Sequence, residues 1–330
     1  MAMAITGGLS ITGGMNLFMP NYTPPPPPQL TRLYTWGRND YGQLGQNDVS
    51  YRSSPVQVGV GTNWSQVSTN AYSTAAVKTD GTLWTWGRNT WGLLGTNDTA
   101  FKSSPTQVGV LTTWSRVSNT FYNTAAVKTD GTLWLWGYNG YGQLGQNDVF
   151  GRSSPVQVGV GTTWSLVSTS RYGTAATKTD GTLWSWGYNN YGQLGQNDRV
   201  YRSSPAQVGT GTTWSRVSTG TYSTVATKTD GTLWSWGPNS YGALGTNDLS
   251  LRSSPVQVGA LTTWSLVSNT FYSTAATKTD GTLWAWGQNN FGQLGQNDII
   301  NRSSPVQVGA LSTWSLVSVG QYSIMAITTN

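Results

Sequence analysis

Lys78-Thr79-Asp80-Gly81-Thr82-Leu83-Trp84-Thr85-Trp86-Gly87 is the stretch whose reading decides the fold. Asp-Gly between two β-rich runs supplies the positive φ of a tight hairpin, and Trp84 and Trp86 share one face at the two-residue period of a strand. The pattern returns. Trp-Gly recurs at Trp36, Trp86, Trp136, Trp186, Trp236 and Trp286, always 50 residues apart. Arg-Ser-Ser-Pro or Lys-Ser-Ser-Pro ends at Pro55, Pro105, Pro155, Pro205, Pro255 and Pro305, and Trp-Ser begins at Trp64, Trp114, Trp164, Trp214, Trp264 and Trp314. Residues 31–330 therefore hold six copies of one 50-residue unit.

Each unit parses into four short strands by alternation, β-branched content and intervening turn residues. In the first unit these fall at 56–59, 64–68, 72–78 and 83–86, the first being the weakest. Asp80-Gly81 predicts a two-residue type I′ turn, making the last two strands antiparallel neighbours. Four Trp-faced strands repeated six times predict an all-β, six-bladed β-propeller of four-stranded antiparallel blades, with a solenoid as the competing architecture. The register of the ends favours the propeller. Asn330 is equivalent to Asp80, whereas Leu33-Tyr34-Thr35-Trp36-Gly37 aligns with Leu83-Trp84-Thr85-Trp86-Gly87. The expectation is a ring closed by residues 33–37 completing the last blade, with Leu33, Tyr34 and Trp36 against Tyr322, Ile324 and Ala326.

Composition removes several chemistries. The 330 residues include no Cys and no His, which excludes disulfides, thiolate zinc sites, imidazole bases and histidine switches. No run of about twenty apolar residues exists to span a membrane as a helix. Asp48 and its five equivalents stand four residues before Arg52, Lys102, Arg152, Arg202, Arg252 and Arg302, a spacing that suits ion pairs within a loop. One such Asp per unit is too few for a metal site, and a carboxylate pair for glycoside hydrolysis would require two neighbouring Asp to converge. No enzyme activity, cofactor or metal is expected.

The formal net charge is +6. Repeated Lys and Arg cancel repeated Asp. The excess comes from Arg32, Arg38, Arg88, Arg116, Arg171, Arg199 and Arg216 against Asp40, seven minus one. These cations are scattered along the chain, so nucleic acid is not the expected partner.

Comparison of the six copies separates framework from freedom. Gly42-Gln43-Leu44-Gly45 reads as tight turns and Ser53-Ser54 as turn hydroxyls before Pro55. The 49–51 position varies yet stays apolar, supplying Tyr51, Phe101, Phe150, Tyr201, Leu251 and Ile300 as candidates for rim contact with a partner or a second subunit. A second variable position supplies Phe121, Arg171 and Phe271. If both lie on one rim they form one surface. Tyr41, Trp91, Tyr141, Tyr191, Tyr241 and Phe291 form a third aromatic set, read as packing beneath the loop, with sugar stacking as the alternative.

The string Trp-Gly-x-Asn-x-aromatic-Gly-Gln-Leu-Gly at 36–45 and 136–145, closed by Lys-Thr-Asp-Gly-Thr-Leu-Trp, resembles the regulator-of-chromosome-condensation repeat family, of the environmental bacterial or bacteriophage type. The resemblance covers residues 31–330 and implies a β-propeller of four-stranded blades, usually seven, where this chain counts six. Guanine-nucleotide exchange, the activity of the founding member, is not expected. The constant spacing leaves no inserted wedge, and the position where the family often has His holds Ser73, Asn123, Gly173, Ser223, Ser273 and Ser323.

Residues 1–30 stand apart from the repeats. Ile5-Thr6-Gly7-Gly8 returns as Ile11-Thr12-Gly13-Gly14, ahead of Met15, Leu17 and Phe18 and then Pro24 to Pro28. Residues 1–23 read as a Gly-rich apolar anchor and 24–30 as a polyproline spacer of about 15 Å. No Lys or Arg precedes the apolar stretch, unlike a secretory signal. These features lead to a non-enzymatic module displayed on a virion or cell surface through residues 1–20, touching host, glycan or subunit through its rim. The alternative is an intracellular, cytoplasmic protein-binding scaffold.

Overall fold

A computed structural model describes residues 31–328 apart from Thr62 and Gln321. Ile5, Ile11, Met15, Leu17, Phe18 and the proline run lie outside the described residues. The chain is all-β. Its first strands are β1 (Tyr34–Gly37), β2 (Arg52–Gln57), β3 (Trp64–Thr69), β4 (Ser73–Lys78), β5 (Leu83–Gly87) and β6 (Lys102–Gln107). Strands β3-β4-β5-β6 form one antiparallel sheet in chain order. The same meander follows in β7 (Trp114–Asn119), β8 (Asn123–Lys128), β9 (Leu133–Gly137) and β10 (Arg152–Gln157), then in three further sheets. These are the blades of a propeller.

The first strand of each blade lies against the first strand of the next. The Asn119 N–H, for example, donates to Ser68 Oγ at 2.8 Å. The strand expected at 56–59, which is the last of each blade, instead runs Arg52–Gln57 in β2, because Ser53, Ser54 and Pro55 belong to it rather than to a turn. Its register against β1 shifts between Thr35 and Gly37. Proline, which cannot donate to a ladder, thus sits in an irregular stretch of a strand with a single neighbour.

The Asp-Gly hairpin joins β4 to β5 as expected, but by a different turn. Only Gly81 takes a positive φ, 78°, and its N–H donates to the Lys78 carbonyl at 3.0 Å. This is a type I turn followed by a glycine bulge rather than type I′. The Asp80 carboxylate fixes it by accepting the Thr82 N–H at 2.9 Å and the Thr82 hydroxyl at 2.7 Å.

The core lies between blades. One face of the β3–β6 sheet offers Ala75, Val77, Leu83 and Val108, and the next blade answers with Trp114, Val117, Ala126 and Trp136. The same pairing recurs farther along, with Ala175, Leu183 and Val208 against Trp214, Ala226 and Trp236. Small Ala side chains on the second strand let the sheets approach, and the Trp rings fill the wedge between them. The Gly42–Gly45 loop then caps the Trp of the following blade. Trp86 Nε1–H donates to the Gln43 carbonyl at 2.9 Å, and that carbonyl also accepts the Thr74 hydroxyl at 3.0 Å. A Cβ on Gly45 would stand 2.8 Å from Trp86 Nε1.

No closing ladder joins the two ends among the described residues. β1 pairs with β2, and β23 (Trp314–Val319) pairs with β24 (Ile324–Thr328), as two separate two-stranded sheets. Among the described residues, Leu33, Tyr34 and Trp36 make no ladder with Tyr322, Ile324 and Ala326. Among the described residues the 24 strands thus form five complete blades and two half-blades. Trp36 is 59% exposed, whereas its five equivalents are fully buried. The local chemistry differs at this place. No Asp-Gly turn tethers the two strands, and Ile324 replaces the Thr whose hydroxyl elsewhere bonds the capping carbonyl.

Candidate functional site

Between the first and second strands of each blade a three-residue turn raises a Tyr. Asn70 Oδ1 accepts the Tyr72 N–H at 2.8 Å and the Ser73 N–H at 3.2 Å, which sets the half-buried Tyr72 ring at one end of the blade. Its equivalents are Tyr122, Tyr172, Tyr222, Tyr272 and Tyr322. Ring contacts join all six without interruption. Tyr72 meets Phe121 at 4.9 Å between centroids, Phe121 meets Tyr122 at 4.7 Å, and Tyr122 meets Tyr172 at 6.2 Å. Tyr172 stacks on Tyr222 at 5.5 Å, Tyr222 meets Phe271 at 5.2 Å, Phe271 meets Tyr272 at 4.8 Å, and Tyr272 stacks on Tyr322 at 6.1 Å.

The predicted rim residues join this band to different degrees. Phe121, Phe271 and Arg171 are members of it. Phe101 meets Tyr41 at 5.3 Å, and Tyr41 meets Tyr72 at 5.4 Å, so the two variable positions share one end of the propeller. Tyr201 lies 4.9 Å from Tyr188. Tyr51 instead donates its hydroxyl to Asp40, Phe150 and Ile300 are exposed, and Leu251 is half-buried. The set beginning at Tyr41 divides, with Tyr41, Tyr141 and Tyr241 half-buried and the other three open to solvent. Trp91, Tyr191 and Phe291 are 46%, 42% and 68% exposed, because neighbouring rings support them edge-on and leave the outer side open.

The Tyr72 series escaped sequence reasoning. Its sixfold identity was itself the signal, but it read as part of a strand when the ring belongs to the turn before it.

Cations punctuate the band. The Arg171 guanidinium lies 5.0 Å from the Phe121 and Tyr122 centroids and 5.1 Å from Tyr172, and it donates to the Tyr122 hydroxyl at 2.8 Å. Arg88 sits over Tyr41, Tyr72 and Phe121 at 5.3, 5.4 and 5.8 Å. Such placements are attractive because a ring face is electron-rich. Burial, with neighbouring phenols, pushes Tyr222 up to about 12, so it remains a neutral donor at physiological pH.

Carboxylates nearby are already committed. Arg152 pairs with Asp148 at 2.6 Å and Lys102 with Asp98 at 2.8 Å, and all six loops carry this ion pair. Asn139 Nδ2 holds the same Asp148 at 2.9 Å. Asn147 and its equivalents take φ near 60° and complete each loop, a conformation that Asn tolerates better than most residues. Among the described residues no cluster of three or more His, Cys, Asp or Glu could hold a metal.

Comparison with known proteins agrees with this architecture. Residues 29–326 match the RCC1-like domain, and the chain belongs to that family. The solved structure of human WBSCR16 superposes with a TM-score of 0.80 at 20% identity, covering 92% of this chain and 83% of that one. Prp20p from Saccharomyces cerevisiae, whose structure was described together with its binding properties to Gsp1p and histones, gives 0.79 at 17% identity, covering 92% and 80%. Yeast RCC1 (Prp20) bound to Kap60 gives 0.77 at 16%, covering 89% and 76%. No curated protein sequence matches. These likenesses establish the fold.

Proposed function

We propose that this chain is a non-enzymatic interaction module that engages a protein partner through the aromatic band. The carrying observation is the uninterrupted series of ring contacts from Tyr72 to Tyr322, with Arg88 and Arg171 laid across it. Aromatic and Arg side chains dominate the energetics of protein interfaces. Their supporting turns hold them in place before binding, which limits the ordering cost of association.

Residues 1–20 serve in this reading as the attachment point to a virion or cell surface, with the proline run as spacer, and the band faces outward to a host, glycan or neighbouring subunit. Two comparisons test it. Arg171→Ala with Tyr222→Ala should lose partners captured by the full chain, whereas Val60→Asp with Val160→Asp, at exposed positions away from the band, should keep them. An identical partner set in all three rejects the band. Deletion of residues 1–28 should abolish retention on purified particles or surface fractions, and equal retention rejects the anchor while leaving the band untouched.

A further inference from the structure

Between successive blades, on the side walls of the propeller, equivalent cavities recur. One of 480 Å³ is lined by Val108, Leu111, Trp114, Lys128, Trp134 and Pro155. Its counterparts contain Trp164, Lys178, Trp184 and Pro205 in 600 Å³, and Trp264, Trp284 and Pro305 in 360 Å³. These volumes fall in the range of small-molecule sites, about 300–1,000 Å³.

Two of the three cavities are lined by a Lys, Lys128 and Lys178. Lys128 is only 7% exposed, and its ammonium lies 3.7 Å from the Trp134 centroid and 4.9 Å from that of Trp114. It makes no hydrogen bond or ion pair with any described residue. The nearby carboxylates are engaged elsewhere, Asp98 by Lys102 at 2.8 Å and Asp130 by the Thr132 hydroxyl at 2.7 Å. Cation–π contact stabilises the charge but uses none of the three N–H donors. The arrangement repeats at Lys78, Lys178, Lys228 and Lys278, whose ammonium groups lie 3.6 to 4.2 Å from the corresponding Trp centroids.

A second donor accompanies each Lys. The indole N–H of Trp64, Trp114, Trp164, Trp214, Trp264 and Trp314 is buried without an acceptor. These indole nitrogens are closed off from solvent, whereas the Lys ammonium is not among the sealed groups and is the donor the cavity offers. An ammonium that opens onto the cavity with no hydrogen-bond partner can donate to an anion of matching size in a charge-assisted hydrogen bond.

We propose that the inter-blade cavities bind small organic carboxylates that carry an apolar body, with Lys128 and its equivalents receiving the carboxylate. The rest of the lining sets an apolar surface of Val108, Leu111, Pro155 and Trp134 beside polar Thr96, Asn97 and Gln107 and the mutually paired Asp98 and Lys102. A bare inorganic anion would leave that surface uncovered. This site is separate from the aromatic band and does not depend on the reading of that band.

Titration of the full chain with phenylacetate, followed by calorimetry and tryptophan fluorescence, tests the assignment. Saturable binding is expected, at least tenfold tighter than for phenylacetamide or inorganic phosphate. Lys128→Met keeps the stem over the Trp faces and should lower the stoichiometry by one site. Replacement of all five Lys by Met should abolish binding, with an unchanged far-UV spectrum. Equal affinity for the amide or for phosphate overturns the proposal, as does undiminished binding in the folded five-site variant. Should that variant fail to fold, an unchanged stoichiometry in Lys128→Met overturns it alone.

Discussion

Trp186→Ala and Trp36→Ala are the same chemical change at equivalent positions of the repeat, yet their surroundings predict very different losses. Trp186 is fully buried against Ala125, Leu133, Leu135 and Leu144 of the preceding blade, and its Nε1–H donates to the Gln143 carbonyl at 2.9 Å. Removing the side chain should destabilise the fold by about 3–5 kcal/mol. The hydrogen bond accounts for roughly 1 kcal/mol of that. The Gln143 carbonyl is not orphaned, because Thr174 Oγ1–H still reaches it at 2.9 Å. Trp36 is 59% exposed, lacks a covering loop and flanks an unpaired strand edge. It retains less than half of the burial, so its loss should be about 1 kcal/mol. Urea unfolding of the full-length variants, followed by far-UV circular dichroism to avoid the changed fluorophore, provides the comparison. Equal destabilisation by the two substitutions would show Trp36 to be covered like its equivalents and would refute the description of β1 as an open edge.

Two further outcomes follow from the loops and the carboxylates. Gly131 and Gly109 have φ of 76° and 62°, but a Cβ at Gly131 would overlap the Thr162 carbonyl oxygen, whereas one at Gly109 meets nothing within 4 Å. Gly109→Ala should therefore cost only the left-handed conformation, about 1–2 kcal/mol, and Gly131→Ala clearly more by the same unfolding assay. Equal effects would contradict the close approach. All twelve Asp side chains have pKa values below the ordinary 3.8. In Asp80 and Asp130 the cause is the hydroxyl of the following Thr and then its N–H. A depressed folded value means that the stability it confers is present above the unfolded value and is lost as pH falls through the folded one. Melting temperature should thus hold steady down to about pH 5 and then decline. With no His in the chain, a decline that begins above pH 6 would be inconsistent with this origin.

The repeat made most of the fold legible in the sequence. Trp86 with Gly45 and Asp80 with Gly81 recur in fixed register because each serves a contact repeated between successive blades, so the repeat located the hairpin and three of the four strands, while the strand at Arg52–Gln57 begins four residues before its expected start. The type of turn was not legible, since type I with a bulge and type I′ both admit Asp-Gly, and the choice rests on the φ of Asp80. The open edge was not legible for a different reason. Register shows that residues 33–37 fit beside residues 322–328, but register carries no information about whether two untethered strands meet. At the candidate site the variable Phe121, Arg171 and Phe271 drew attention because they changed. The invariant Tyr72 series, which joins them into one band, was concealed by its constancy.

Each blade presents one kind of face behind and another ahead, so every interior junction is the same junction. Duplication or deletion of one fifty-residue unit would create no novel surface and orphan no tryptophan. Such a gene can lengthen or shorten by recombination between its own near-identical segments and still encode well-packed neighbours. Only the terminal half-blades register the count. The aromatic band and the lysine cavities would gain or lose one member with each event, so the number of contacts offered to a partner can evolve in whole units without redesign of the architecture.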